Sequence, residues 1–76
     1  MVELYTLPQC PICKMIKTKL EAKMIPYIEH SLEEYIEELK TDRAPVMKIV
    51  ENDATQYLYT PTEMNTWIKE WRNHEH

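Results

Sequence analysis

The stretch Val2-Glu3-Leu4-Tyr5-Thr6-Leu7-Pro8-Gln9-Cys10-Pro11-Ile12-Cys13-Lys14 decides how this chain is read. Val2 to Thr6 has the length and β-forming side chains of a short strand, with Val2, Leu4 and Tyr5 apolar. Leu7, Pro8 and Gln9 then make a turn. Pro11 suits the first position of a helix, where a missing N–H leaves nothing unpaired. The helix is expected to run to about Lys23. Ile12, Met15, Ile16, Leu20 and Met24 form its apolar stripe, and Lys14, Lys17, Lys19 and Lys23 face solvent. Both thiols therefore fall in the opening turn of a helix that directly follows a strand.

Working outward, Pro26 to His30 reads as a second strand, with Tyr27 and Ile28 as its apolar members. Ser31 followed by Glu34 is a capping box, and Leu32, Tyr35, Ile36 and Leu39 follow at i, i+3, i+4 and i+7. A second helix is thus expected from Ser31 to about Lys40, before the polar turn Thr41-Asp42-Arg43. Val46 to Val50 is a third strand and Gln56 to Tyr59 a fourth, joined by the turn Glu51-Asn52-Asp53. Thr60-Pro61-Thr62-Glu63 is another capping box. Met64, Trp67, Ile68 and Trp71 behind it repeat at helical spacing, which assigns both tryptophans to packing first. Tyr57 and Tyr59 belong to the sheet. Glu33, Glu34, Glu37 and Glu38 read as a solvated helix face. The polar tail Asn73 to His76 is expected to fray.

The element order is β-α-β-α-β-β-α. A βαβ start implies a parallel strand pair with a right-handed crossover, and the short third turn implies an antiparallel hairpin. The expected fold class is α/β, a mixed sheet covered by helices, in a single domain over residues 1–76.

The chain contains no glycine, where average usage would place about five. Turns that need a positive φ must therefore use Asn, Asp or another turn type. The net charge of −4 disfavours nucleic acid as a partner. The apolar runs are too short for a membrane span, and no signal-peptide pattern opens the chain. A cytoplasmic location is the default expectation. There, paired cysteines are reduced or catalytic rather than structural.

The spacing of Cys10 and Cys13 leaves several readings open. They could be half of a zinc site, although a structural site needs four ligands and His30, His74 and His76 lack the matching spacing. They could also be inert buried thiols. The strand–Cys-x-x-Cys–helix context points instead to redox work, with no metal. Unpaired N–H groups and the positive end of the helix dipole stabilise a thiolate at Cys10. Lys14 and Lys17 would add a weaker, salt-screened push. Cys10, ahead of the helix, is the expected nucleophile. Cys13, inside the first turn, is the expected resolving thiol and the more buried of the two.

Leu4-Tyr5-Thr6, Cys10-Pro11-Ile12-Cys13 and the run Lys14 to Leu20 resemble the opening of bacterial and phage glutaredoxins, within the thioredoxin-like superfamily. The element order is similar along essentially the whole chain. The resemblance implies a thioredoxin-like fold, a four-stranded mixed sheet flanked by three helices. It also implies that Pro45 of Ala44-Pro45-Val46 is cis and faces the cysteines, so that Ala44 offers its backbone to an extended substrate. Local sequence alone says only that Ala44 is extended.

Other family marks are altered. The glycine pair and acidic residue that bind the γ-glutamyl end of glutathione are replaced by Tyr59-Thr60-Pro61-Thr62-Glu63. Thr60, Thr62 and Glu63 are therefore candidates either for glutathione binding or for simple capping. Leu7 and Pro8 stand where many glutaredoxins have a lysine, and Ile12 stands where a tyrosine is usual. Arg43 could replace the missing charge or be a solvated loop residue. Pro11, Ile12, Arg43, Ala44, Pro45, Thr60, Thr62 and Glu63 make up the expected contact set.

What the resemblance implies is a monomeric dithiol oxidoreductase with no bound cofactor. It would reduce protein or glutathione mixed disulfides, with glutathione as the reducing co-substrate and ribonucleotide reductase as one candidate protein substrate. A redoxin served by a thioredoxin reductase is the alternative, supported by the missing glycines and lysine. A non-catalytic binding or redox-sensing module is the reading from a different class.

Overall fold

The structure, a computed structural model, describes residues 1–71. The tail expected to fray, Asn73 to His76, lies outside the described residues. Strand β1 (Val2–Thr6) leads through the Pro8–Gln9 turn to helix α1 (Pro11–Ala22). Strand β2 (Ile28–Ser31), a 3-10 turn (Leu32–Glu34) and the short helix α2 (Ile36–Leu39) follow. The hairpin β3 (Val46–Glu51) and β4 (Ala54–Leu58) and helix α3 (Pro61–Glu70) complete the order. The sheet runs β2-β1-β3-β4, with β1 and β2 parallel and the other two pairs antiparallel. This is the mixed α/β architecture expected from the sequence.

Strand alternation divides the core between the two faces of the sheet. Leu4, Met47, Ile49 and Leu58 turn toward α1 and α3, where they meet Ile16, Leu20, Met64 and Ile68 in one buried cluster. Trp67 and Trp71 pack against that cluster, half-buried, as their spacing predicts. Tyr5 and Val46 turn to the opposite face and join Leu32 and Leu39. The Lys23 ammonium donates to the carbonyls of Ile68 and Lys69 at 3.0 and 3.2 Å, tying the end of α1 to the end of α3.

Among the described residues, four take the left-handed conformation: Gln9, Met24, Lys40 and Asn52. Asn52, in the hairpin turn, is the kind of residue the absence of glycine calls for. The other three show that longer side chains also accept the roughly 1–2 kcal/mol penalty when the fold requires it. At the end of α1, the Ile25 N–H reaches the Leu20 carbonyl at 2.9 Å and the Met24 N–H reaches that of Glu21 at 3.0 Å. Together with buried Leu20 and Ile25, this is a Schellman ending built around a left-handed methionine.

Several expected boundaries are corrected. The stripe of α1 is narrower than its apolar residues suggest, being Cys13, Ile16 and Leu20. Ile12 and Met15 are 42% and 40% exposed, and Met24 lies beyond the helix at 79%. The second helix does not run from Ser31 to Lys40. Ser31 closes β2 and makes no side-chain cap, and Tyr35 at φ −125° separates the 3-10 turn from α2. Glu33/Glu37 and Glu34/Glu38 would be like-charge i, i+4 pairs in a continuous helix. Tyr35 is moreover held edge-on to Tyr5 and His30, with ring centroids 5.0 and 5.3 Å away. Strand β2 begins at Ile28 rather than Pro26, because the ladder with β1 opens at the Glu3–Ile28 pair. Strand β4 covers Ala54–Leu58 rather than 56–59, since the tight turn pairs Glu51 directly with Ala54.

Candidate active site

Cys10 is the N-cap of α1, extended at φ −109° and ψ 104°, with Pro11 behind it at the first helical position. Left-handed Gln9 turns the chain from the strand into that cap. The Cys10 sulfur accepts the Cys13 backbone N–H at 3.1 Å, the contact that a side-chain oxygen makes at an ordinary N-cap. Cys10 and Cys13 form a disulfide with their Cα atoms 5.2 Å apart. Cys13 is only 2% exposed, whereas Cys10 is half-buried. The geometry thus gives the two sulfurs unequal access, in the order expected. The N–H on the Cys10 sulfur is placed to stabilise a thiolate there after reduction.

Beside the pair opens a groove of about 420 Å³. One wall is the segment Thr6 to Cys10, a second is Cys13, Lys14 and Lys17 of α1, and the third is Glu29, His30 and Ser31 of β2. Lys17 is already engaged, its ammonium 3.2 Å from Glu29 Oε2. The same oxygen accepts the Thr6 hydroxyl at 2.7 Å. That hydroxyl holds the Glu29 carboxyl below its ordinary value; Lys17 adds to the effect and partial burial opposes it. Lys14 makes no side-chain hydrogen bond or ion pair among the described residues. Of the two expected thiolate-tuning lysines, Lys14 alone therefore keeps its charge uncommitted.

On the other face of the sheet, His30 Nε2 lies 2.9 Å from Glu3 Oε1. The His30 ring stacks on Tyr5 at a 5.0 Å centroid distance. Burial, reinforced by the charges of Glu3 and Glu38, pushes the Tyr5 phenol up to about 12.

The Ala44–Pro45 peptide is cis, as the resemblance implies. Pro45 is fully buried, while half-buried Ala44 packs with Leu7 against the Tyr5–Leu32–Leu39–Val46 cluster. That shared cluster holds the segment before the cis proline and the segment before Cys10 on one support. Neither Ala44 nor Pro45 lines the groove. Pro11 and Ile12 are exposed next to the cysteines, outside it. Arg43 is exposed, and its backbone N–H donates to the Thr41 hydroxyl at 3.2 Å.

The start of α3 is built from its own side chains. The Thr60 hydroxyl accepts the Glu63 N–H at 3.2 Å, and Glu63 Oε1 accepts the Tyr59 N–H at 3.2 Å. Pro61 has no N–H to offer. Thr62 and Glu63 line a separate groove with Gln56, Leu58 and Trp67. The structure therefore brings together Cys10, Cys13, Lys14 and Lys17 of the expected set. It adds Gln9, Glu29, His30 and Ser31, which sequence reasoning missed. Glu29 and His30 gave no local signal, because they reach the site only through the pairing of β2 with β1.

The family model for glutaredoxin matches residues 2–49, the span from β1 into β3. No curated protein matches the chain in sequence. Among solved structures, a trimeric glutathione transferase of Leishmania, TDR1, superposes with a TM-score of 0.72 at 14% identity. The match covers 91% of this chain and 17% of that one, so the chain spans about a sixth of its neighbour's length. At that identity the likeness is one of fold, and the fold is thioredoxin-like. No helix among the described residues is long and apolar enough to cross a membrane.

Proposed function

The chain belongs to the glutaredoxin family, and from that premise we propose that it is a dithiol oxidoreductase drawing its electrons from glutathione. The observation that carries the reading is the asymmetric Cys10–Cys13 pair: the Cys10 sulfur sits at the helix cap with the Cys13 N–H on it, and the Cys13 sulfur lies behind. In the reduced protein the Cys10 thiolate attacks a substrate disulfide. One substrate sulfur leaves as a thiolate and a mixed disulfide forms on Cys10. The Cys13 thiolate then attacks the Cys10 sulfur and releases the second substrate thiol, leaving the Cys10–Cys13 disulfide. The substrate has gained two electrons and the protein has lost them. Substrates are mixed disulfides of glutathione and disulfide-bonded proteins, a ribonucleotide reductase being one candidate. The protein works as a cytoplasmic monomer, with Ala44 and Pro45 receiving the extended substrate.

A second reading takes electrons from a thioredoxin reductase, and one observation favours it. The α3 N-terminus, where the family resemblance puts the γ-glutamyl carboxylate, already carries the Glu63 carboxylate and lacks an N–H at Pro61. NADPH-coupled turnover separates the two, with glutathione and glutathione reductase in one arm and thioredoxin reductase alone in the other. Turnover in the first arm, abolished by Cys10→Ser, is the expected result. Turnover only in the second establishes the alternative. Silence in both arms returns the chain to the binding-module class.

A further inference from the structure

Away from the thiols, the last turns of α1 and α3 enclose a second groove. Its volume of about 470 Å³ falls in the range of small-ligand sites, roughly 300–1,000 Å³. Lys19, Ala22 and Lys23 line it from the end of α1, and Asn65, Ile68 and Lys69 face them from α3 at the same i, i+3, i+4 spacing. No carboxylate lines it, although acidic residues outnumber basic ones in the chain by 13 to 9. Lys23 is spent on the Ile68 and Lys69 carbonyls at 3.0 and 3.2 Å, where it answers the negative end of α3. The ammonium groups of Lys19 and Lys69 make no hydrogen bond or ion pair among the described residues. Lys19 and Lys23, one helical turn apart, repel each other, and an anion held between the helices relieves that repulsion. Asn65 supplies an independent observation. Its Oδ1 is buried and has no hydrogen-bond partner among the described residues. An unpaired buried acceptor is costly, and a donor entering the groove is the partner it lacks.

We propose that this groove is a binding site for a small organic anion that carries an apolar body and an N–H or O–H donor. The anionic group lies between the Lys19 and Lys69 ammonium groups. The donor meets Asn65 Oδ1. The apolar body covers Ala22, Ile68 and the methylene stems of the lysines. Lys19 and Lys23 stand nine and thirteen residues after Cys10. At 1.5 Å per residue that places the groove roughly 14–20 Å along the helix from the disulfide. A ligand there touches neither sulfur, so the site is separate from thiol–disulfide exchange and stands or falls independently of the oxidoreductase reading.

The probe is anilinonaphthalene sulfonate, which combines a sulfonate, an N–H donor and two aromatic units, titrated by fluorescence into the 76-residue protein. Its neutral analogue phenylnaphthylamine lacks only the anion. The sulfonate is expected to bind saturably at one site, more tightly than the analogue, and to shift the amide resonances of Lys19, Lys23, Asn65 and Lys69. The double variant Lys19→Gln/Lys69→Gln is expected to weaken sulfonate binding about fivefold or more at low salt, the scale of two exposed ion pairs. That loss should shrink as salt is added, and binding of the neutral analogue should not change. Asn65→Leu, which keeps the bulk and loses the acceptor, should weaken sulfonate binding about threefold. Turnover of a mixed disulfide by the double lysine variant should match that of the parent protein. Equal affinity for the two dyes, an affinity unchanged in the double lysine variant, or shifts centred on Cys10 and Lys14 instead overturns the proposal.

Discussion

Glu63 Oε1 accepts the Tyr59 backbone N–H at 3.2 Å, so the entrance of α3 is closed by a carboxylate of its own chain. The Thr60 hydroxyl completes the arrangement on the Glu63 N–H. Removing that hydroxyl leaves a helix donor to water, and Thr60→Ala is expected to cost about 1 kcal/mol. Urea denaturation of the reduced proteins measures the difference. An unchanged midpoint would mean that Pro61 and Glu63 alone hold the helix start.

The left-handed Met24 that ends α1 is 79% exposed and packs on nothing that a smaller residue would forfeit. Glycine meets no Cβ penalty at that φ. Met24→Gly is therefore expected to raise stability by about 1 kcal/mol, despite glycine's greater freedom in the unfolded chain. A rise in the thermal midpoint checks it. A fall would show that the Met24 side chain is not idle.

Glu29 ties the groove's acid–base behaviour to the Thr6 hydroxyl. Its folded-state value is depressed, so its contribution to stability is present above the ordinary glutamate value of 4.5. That contribution is lost as pH falls from there through the lower folded value. Thr6→Val removes the largest cause of the shift and should move the carboxyl titration, followed by NMR, back upward. A titration that stays put would assign the depression to Lys17 alone.

Tyr5 and Tyr27 are both pushed up to about 12, first by burial, and in Tyr27 also by its 2.8 Å hydrogen bond to Glu21. A raised value favours the neutral form, so the stability it represents is intact below 10 and is lost as pH rises from 10 through 12. Ultraviolet titration should show Tyr5 and Tyr27 ionising late, together with alkaline unfolding. Ionisation of either one near 10 would contradict its burial.

Cys13→Ser should strand the exchange at its midpoint. Incubation with oxidised glutathione is expected to leave one glutathione disulfide-bonded to Cys10, seen as an added mass and removed by dithiothreitol. Cys10→Ser should give no such adduct, because Cys13 is only 2% exposed. An adduct on Cys13 would reverse the assigned roles.

The local sequence of Thr6 to Lys14 by itself determined the strand–turn–helix and the placing of both thiols at a helix start. Pro11 and the cap geometry act within a few residues of the sulfurs, so neighbours in the chain suffice. The same holds for Thr60 to Glu63, whose capping box formed, although Glu63 reaches back to Tyr59 rather than to Thr60. The second helix broke at Tyr35, and the capping box that Ser31 and Glu34 spell in sequence did not form. Ser31 was drawn into the β1–β2 ladder opposite Thr6, and Tyr35 against Tyr5, contacts made with residues more than twenty positions away. The groove depended on the same pairing. Parallel register carried Glu29 and His30 alongside Leu4 and Tyr5 and set Glu29 against Thr6 and Lys17. No spacing along the chain encodes a charge that arrives from another strand, so only the tertiary structure decided which lysine beside the disulfide stayed free.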